Sequence, residues 1–161
     1  MNRLDKRYWP AVRNFEEKVM EILYTAVATA TGGREGHVKS SDGILDLNVR
    51  LPKSLGGSTE GFTNPEQLFA AGYSVCFDNA LNKVIRRERI KTGPTSVTAA
   101  VGIGKIGDDR FGLAVTLTAN IPGVTTAEAK ALIEKAHLVC PYSNATRGNI
   151  EVRLEVTTID R

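Results

Sequence analysis

Asn64-Pro65-Glu66-Gln67 opens a helical pattern that restricts the fold more than any other stretch of the chain. Asn is a good cap, Pro suits the first helical position, the acid meets the positive end of the helix dipole, and Gln completes a capping box. The pattern predicts a helix running towards Arg87, apolar over much of its circumference between Leu68 and Leu81. A helix apolar on most sides belongs at the centre of a fold or at a subunit contact.

The segments around it read as strands. Leu23 to Thr29 alternates apolar and polar positions and ends at the turn Gly32-Gly33-Arg34-Glu35-Gly36. Asp42-Gly43 has tight-turn chemistry after a short run at His37 and Val38, and Leu45, Leu47, Val49 and Leu51 then alternate with polar residues as a half-buried strand. Pro52 to Thr63 carries three glycines and no period, which predicts a loop.

Val97 to Ile103 and Phe111 to Leu117 predict a hairpin across Gly107-Asp108-Asp109. Thr125-Thr126-Ala127-Glu128 is a second capping box, and Ala129, Leu132, Ile133, Ala136 and Cys140 share one face of a helix that Pro141 should stop. Ile150 to Val156 closes the chain as a strand. The order strands, helix, hairpin, helix, strand lacks the regular alternation of a doubly wound fold and predicts an α+β protein with antiparallel sheets packed on two central helices.

A length of 161 residues suits one domain with a real core. The net charge of +3, spread among acids, does not make a nucleic-acid surface. No apolar run approaches the roughly 20 residues of a membrane helix. Residues 1–19 mix acids and bases without the apolar core of an export signal, so the chain is expected to be cytoplasmic, and Asn144-Ala145-Thr146 is not expected to be glycosylated. The Gly32–Gly36 turn lacks the Lys-Ser/Thr of a phosphate loop.

Cys76 and Cys140 are the two cysteines, too few for a secreted disulfide framework. Cys76 falls within the apolar helix, where burial raises a thiol pKa above its usual ~8.5, so a reactive Cys76 needs a cation nearby. Cys140 falls at the negative end of the second helix, which makes it the poorer first attacker. Spacing alone leaves inert buried thiols and a redox pair both open.

Three motifs carry more. Thr31-Gly32-Gly33-Arg34-Glu35-Gly36, the stretch from Asn64-Pro65-Glu66-Gln67 to Gly72-Tyr73-Ser74-Val75-Cys76-Phe77, and Val139-Cys140-Pro141-Tyr142-Ser143-Asn144-Ala145-Thr146-Arg147-Gly148-Asn149-Ile150 resemble the organic hydroperoxide resistance proteins of the OsmC-like superfamily. The resemblance runs from about Leu23 to Val156. Residues 1–19 lie outside it as an N-terminal extension, leaving an OsmC-like peroxidase domain over residues 20–161, and Val75 stands where alanine is common.

The resemblance implies an intertwined homodimer that reduces alkyl or lipid hydroperoxides. Cys76 would be the attacking thiol and Cys140 its resolving partner, Arg34 the cation that stabilises the thiolate, and Glu66 the acid that orients Arg34. It implies no bound cofactor or metal, and re-reduction by dihydrolipoamide or a lipoylated protein.

The placement of Glu66 poses a difficulty. Ten residues separate it from Cys76, about 15 Å along a straight helix, so either the helix breaks, near Gly72, or a subunit contact brings the groups together. Phe69, Tyr73, Phe77 and Tyr142 could wall a hydroperoxide site, although aromatics at such spacings are more often core. Two other readings are a metal site of His37, Cys76, His137 and Cys140, and a binding or structural module with incidental thiols.

Overall fold

The computed structural model describes residues 20–57 and 61–157, so the N-terminal extension lies outside it. The chain divides into two compact units, residues 1–62 and 63–161.

The first unit is an antiparallel sheet of β1 (Ala28–Thr31), β2 (His37–Ser40) and β3 (Asp46–Asn48), in that order. β1 begins later than the alternation predicts, and Leu23 and Tyr24 lie exposed ahead of it, with no described strand paired to them. The connection from β1 to β2 is the glycine turn, wound into one 3-10 turn over Gly33–Glu35. Gly32 and Gly33 have φ of 74° and 56°, and a Cβ on Gly36 would run into the Thr31 carbonyl. Only glycine fits such positions without strain.

The turn is braced from the far side of the sheet. Gly36 O accepts from the Val49 N–H at 2.9 Å and from the Arg50 guanidinium at 2.9 Å, and the Leu51 N–H donates to Glu35 Oε1 at 3.1 Å. Within Pro52–Thr63, predicted as loop, Lys53–Leu55 forms a further 3-10 turn.

The second unit holds α1 (Pro65–Glu88), β4 (Ser96–Lys105), β5 (Phe111–Asn120), α2 (Thr126–Val139), α3 (Pro141–Thr146) and β6 (Glu151–Val156). Asn64 caps α1 through its side chain, accepting from the Gln67 N–H at 2.9 Å, and Arg89 ends it in the left-handed conformation. α2 opens with the predicted capping box, Thr125 and Glu128 exchanging bonds.

β4 and β5 form the predicted hairpin, paired from Ser96–Asn120 to Lys105–Phe111. The closing strand departs from expectation: β6 pairs with β5 in parallel, so this sheet is mixed and not antiparallel. The connection permits it, since two helices intervene between β5 and β6 and parallel neighbours need a crossover of that length.

The core of this unit packs one face of α1, with Tyr73, Phe77 and Leu81, against Leu117 of β5 and Leu132 and Ile133 of α2. Leu117→Ala, at a side chain with no exposed surface, is expected to cost about 2–5 kcal/mol by removing buried area and leaving a cavity. Urea unfolding measures this as a lower midpoint with an unchanged slope.

Candidate active site

Cys76 lies midway along α1 and Cys140 at the elbow where α2 gives way to α3. The elbow is set by Pro141. Lacking an N–H, proline cannot continue α2, but its fixed φ suits a first helical position, and Pro141 starts α3 where the sequence reading only stopped a helix. Cys140 therefore ends one helix and begins another: its N–H donates to Ala136 O at 2.9 Å and its carbonyl accepts from the Asn144 N–H at 2.9 Å.

The fold brings the two thiols together, with Cys140 Sγ 3.6 Å from Cys76 Sγ. They are not joined in a disulfide; Cys76 is half-buried, and Cys140 is fully buried. The dipole argument for Cys140 changes here, because the negative end of α2 and the positive end of α3 meet at this residue. Helix polarity therefore does not separate the two thiols; what separates them is burial.

Burial pushes the Cys76 thiol up from its ordinary value, and the neighbouring Cys140 thiol adds to the rise. The backbone N–H of Tyr142 beside it acts the other way and favours the thiolate. The rise wins, so these surroundings leave Cys76 in need of a further positive charge to ionise near neutral pH.

α1 runs unbroken past Gly72, contrary to the first of the two routes allowed above. Glu66 and Cys76 stay ten residues apart on one helix, about 15 Å along its axis. Gly72 serves packing instead: a Cβ there would lie 2.9 Å from Tyr142 Oη, so the glycine lets α3 approach α1 beside Cys76. Arg34 is half-buried in the glycine turn of the first unit, and Glu66 is half-buried in the first turn of α1.

Three of the four aromatics group together. Phe69 and Tyr73 stand edge to face with centroids 5.9 Å apart, and Tyr142 lies 6.0 Å from Phe69 and 5.6 Å from Tyr73. Phe69, Tyr73 and Cys76 are at i, i+4 and i+7, one stripe of α1. Phe77 faces the core, 6.5 Å from the His137 ring.

The metal reading finds no geometry to stand on. Among the described residues no group of three or more His, Cys, Asp or Glu side chains is placed to hold an ion. His37 is instead bound to Asp46 at 2.6 Å, across β2 and β3. Burial, and the nearby Arg147, lower the His137 pKa, and its Nδ1 is buried and unpartnered among the described residues. No described helix is long and apolar enough to cross a membrane.

Two sheets with two long helices, the longer of them carrying a half-buried thiol opposite a buried one, define an OsmC-like α+β protein. A family model described as OsmC-like protein matches residues 56–155. The organic hydroperoxide resistance protein of Xanthomonas axonopodis pv. citri is 53% identical over 135 residues, covering 83% of this chain and 94% of that protein. OhrA of Bacillus subtilis, also an organic hydroperoxide resistance protein, is 53% identical over 136 residues, covering 83% and 96%. The crystal structure of an organic hydroperoxide resistance protein from Elizabethkingia anophelis superposes with a TM-score of 0.83 at 66% identity, covering 87% of this chain and all of that one. The chain belongs to the OsmC-like family, and within it to the organic hydroperoxide resistance proteins.

Proposed function

We propose that this protein is a two-cysteine peroxidase that reduces organic hydroperoxides to alcohols. The observation that carries the reading is the 3.6 Å approach of a half-buried Cys76 sulfur and a buried Cys140 sulfur. The relatives' names point to the same substrate class.

In the proposed cycle the Cys76 thiolate attacks the O–O bond and takes one oxygen as sulfenic acid. The other oxygen leaves as alkoxide and is protonated to the alcohol. The Cys140 sulfur then attacks the Cys76 sulfur, forming the disulfide and releasing water. A dithiol supplies two electrons and two protons to restore both thiols; dihydrolipoamide or a lipoylated protein is the proposed donor.

Arg34 is the proposed cation. A guanidinium favours the thiolate and offsets charge on the departing oxygen, and each unit by which it lowers the thiol pKa is worth about 1.4 kcal/mol. Glu66 is proposed to orient Arg34 as a bidentate partner. On an unbroken α1, Glu66 acts on Cys76 only through a side chain of arginine length or through a second subunit. The chain is proposed to work in the cytoplasm as an intertwined homodimer, which suits the exposed Leu23, Tyr24 and Ile44 of the first unit.

Arg34→Ala is expected to slow hydroperoxide reduction about a hundredfold at neutral pH, the scale of losing one preorganised charge. Its pH–rate profile should move alkaline, because burial and the neighbouring thiol then set the Cys76 pKa. A profile identical to wild type would remove Arg34 from the site. The parent reading is tested by steady-state turnover of an alkyl hydroperoxide with dihydrolipoamide, thioredoxin or glutathione as donor. Failure with every donor would overturn it in favour of a binding module.

A further inference from the structure

Beside the two thiols lies a polar cluster that the proposed chemistry does not use. Tyr73, one turn before Cys76 on α1, is fully buried, as is Ser143 of α3, and Thr146 of α3 is nearly so. Tyr73 Oη lies 3.0 Å from Ser143 Oγ and 3.2 Å from Thr146 Oγ1. Thr146 Oγ1 donates to the Ser143 carbonyl at 3.2 Å.

Each hydroxyl has one proton to give, and that fixes the directions. Thr146 spends its proton on Ser143 O, so Tyr73 donates to Thr146 and Ser143 donates to Tyr73. The three hydroxyls form one circuit that starts at Ser143 Oγ, passes through Tyr73 and Thr146 and returns to the Ser143 carbonyl, tying α3 to α1. Arg147 fastens the other end of α3, donating to His137 O on α2 at 2.8 Å and to Asn144 Oδ1 at 2.9 Å.

Two groups beside the Cys76 sulfur ride on this elbow: the Cys140 sulfur, 3.6 Å away at the start of α3, and the backbone N–H of Tyr142, which favours the thiolate. Rotation of α3 would move them together. We propose that Tyr73 is a positioning residue for the thiol pair, its hydroxyl locking α3 so that the Cys140 sulfur and the Tyr142 N–H both face Cys76.

The proposal rests on the peroxidase reading for its purpose, but its test does not. Reduced full-length wild type, Tyr73→Phe and Ser143→Ala are treated with diamide, whose azo group takes up the two thiol hydrogens as the disulfide forms, and followed by intact mass. In a Cys140→Ser background, alkylation of Cys76 by iodoacetamide is followed against pH. Tyr73→Phe is expected to form the disulfide about tenfold more slowly and to shift the alkylation profile alkaline, the scale expected when reacting groups lose their alignment.

Ser143→Ala should do the same, and the double variant no more than either alone, since each opens the same circuit. Val84→Ala, a buried site elsewhere on α1, controls for lost stability and should leave both readouts at wild type. Wild-type disulfide rate and pH profile in Ser143→Ala, or in a folded Tyr73→Phe, overturn the proposal, as does an equal shift in Val84→Ala. Wild type that closes its disulfide with diamide but not with an alkyl hydroperoxide would instead overturn the peroxidase reading and leave the Tyr73 comparison standing.

Discussion

Cys76→Ser is expected to reduce organic hydroperoxide turnover by at least about a thousandfold, to the uncatalysed level. A serine hydroxyl at this place stays protonated at neutral pH, and oxygen attacks an O–O bond far more weakly than a sulfur anion. The substitution is close to isosteric and the site is half-buried, so the fold should survive and urea unfolding should differ little from wild type. The loss would then be chemical. The measurement is steady-state consumption of an alkyl hydroperoxide with dihydrolipoamide in excess. Retained turnover in Cys76→Ser would dismiss the thiol mechanism altogether.

Removing the second thiol should have an effect of comparable size but different character. Cys140→Ser leaves the attacking group intact, so the first equivalent of hydroperoxide should be consumed at a rate near that of wild type. With no sulfur 3.6 Å away to capture the sulfenic acid, a second equivalent carries Cys76 to sulfinic acid, which thiols do not reverse. Intact mass should show two added oxygens where wild type shows the loss of two hydrogens. Turnover should cease within a few cycles as the hydroperoxide is raised. A Cys140→Ser protein that cycles indefinitely without gaining oxygen would show that Cys140 is a packing residue.

How far the sequence reached is clearest along α1. The start at Asn64-Pro65-Glu66-Gln67 and the central placement were legible because caps and apolar faces are local signals. The role of Gly72 was not. A glycine inside a helix reads as a weak point, and only the Tyr142 ring packed over it shows that its missing Cβ is filled space.

The direction of β6 was beyond reach for a different reason, since alternation fixes which face is buried but not which way the neighbour runs. For the site, the cysteines and Arg34 were named by motif, while Ser143 and Thr146 were passed over. Their value depends on a tyrosine hydroxyl some seventy residues away, and the one local signal is Pro141, which starts one helix as it stops another.

The parallel pairing of β6 with β5 has a consequence for the making of the protein. A ribosome delivers Cys76 well before Cys140, and β6, the last described strand, which completes the crossover, comes later still. For that interval the nascent chain carries a lone thiol on an apolar helix with its sulfur partner still unplaced. On the proposed mechanism, a chain that meets hydroperoxide in that interval would carry Cys76 on to sulfinic acid before it could ever turn over.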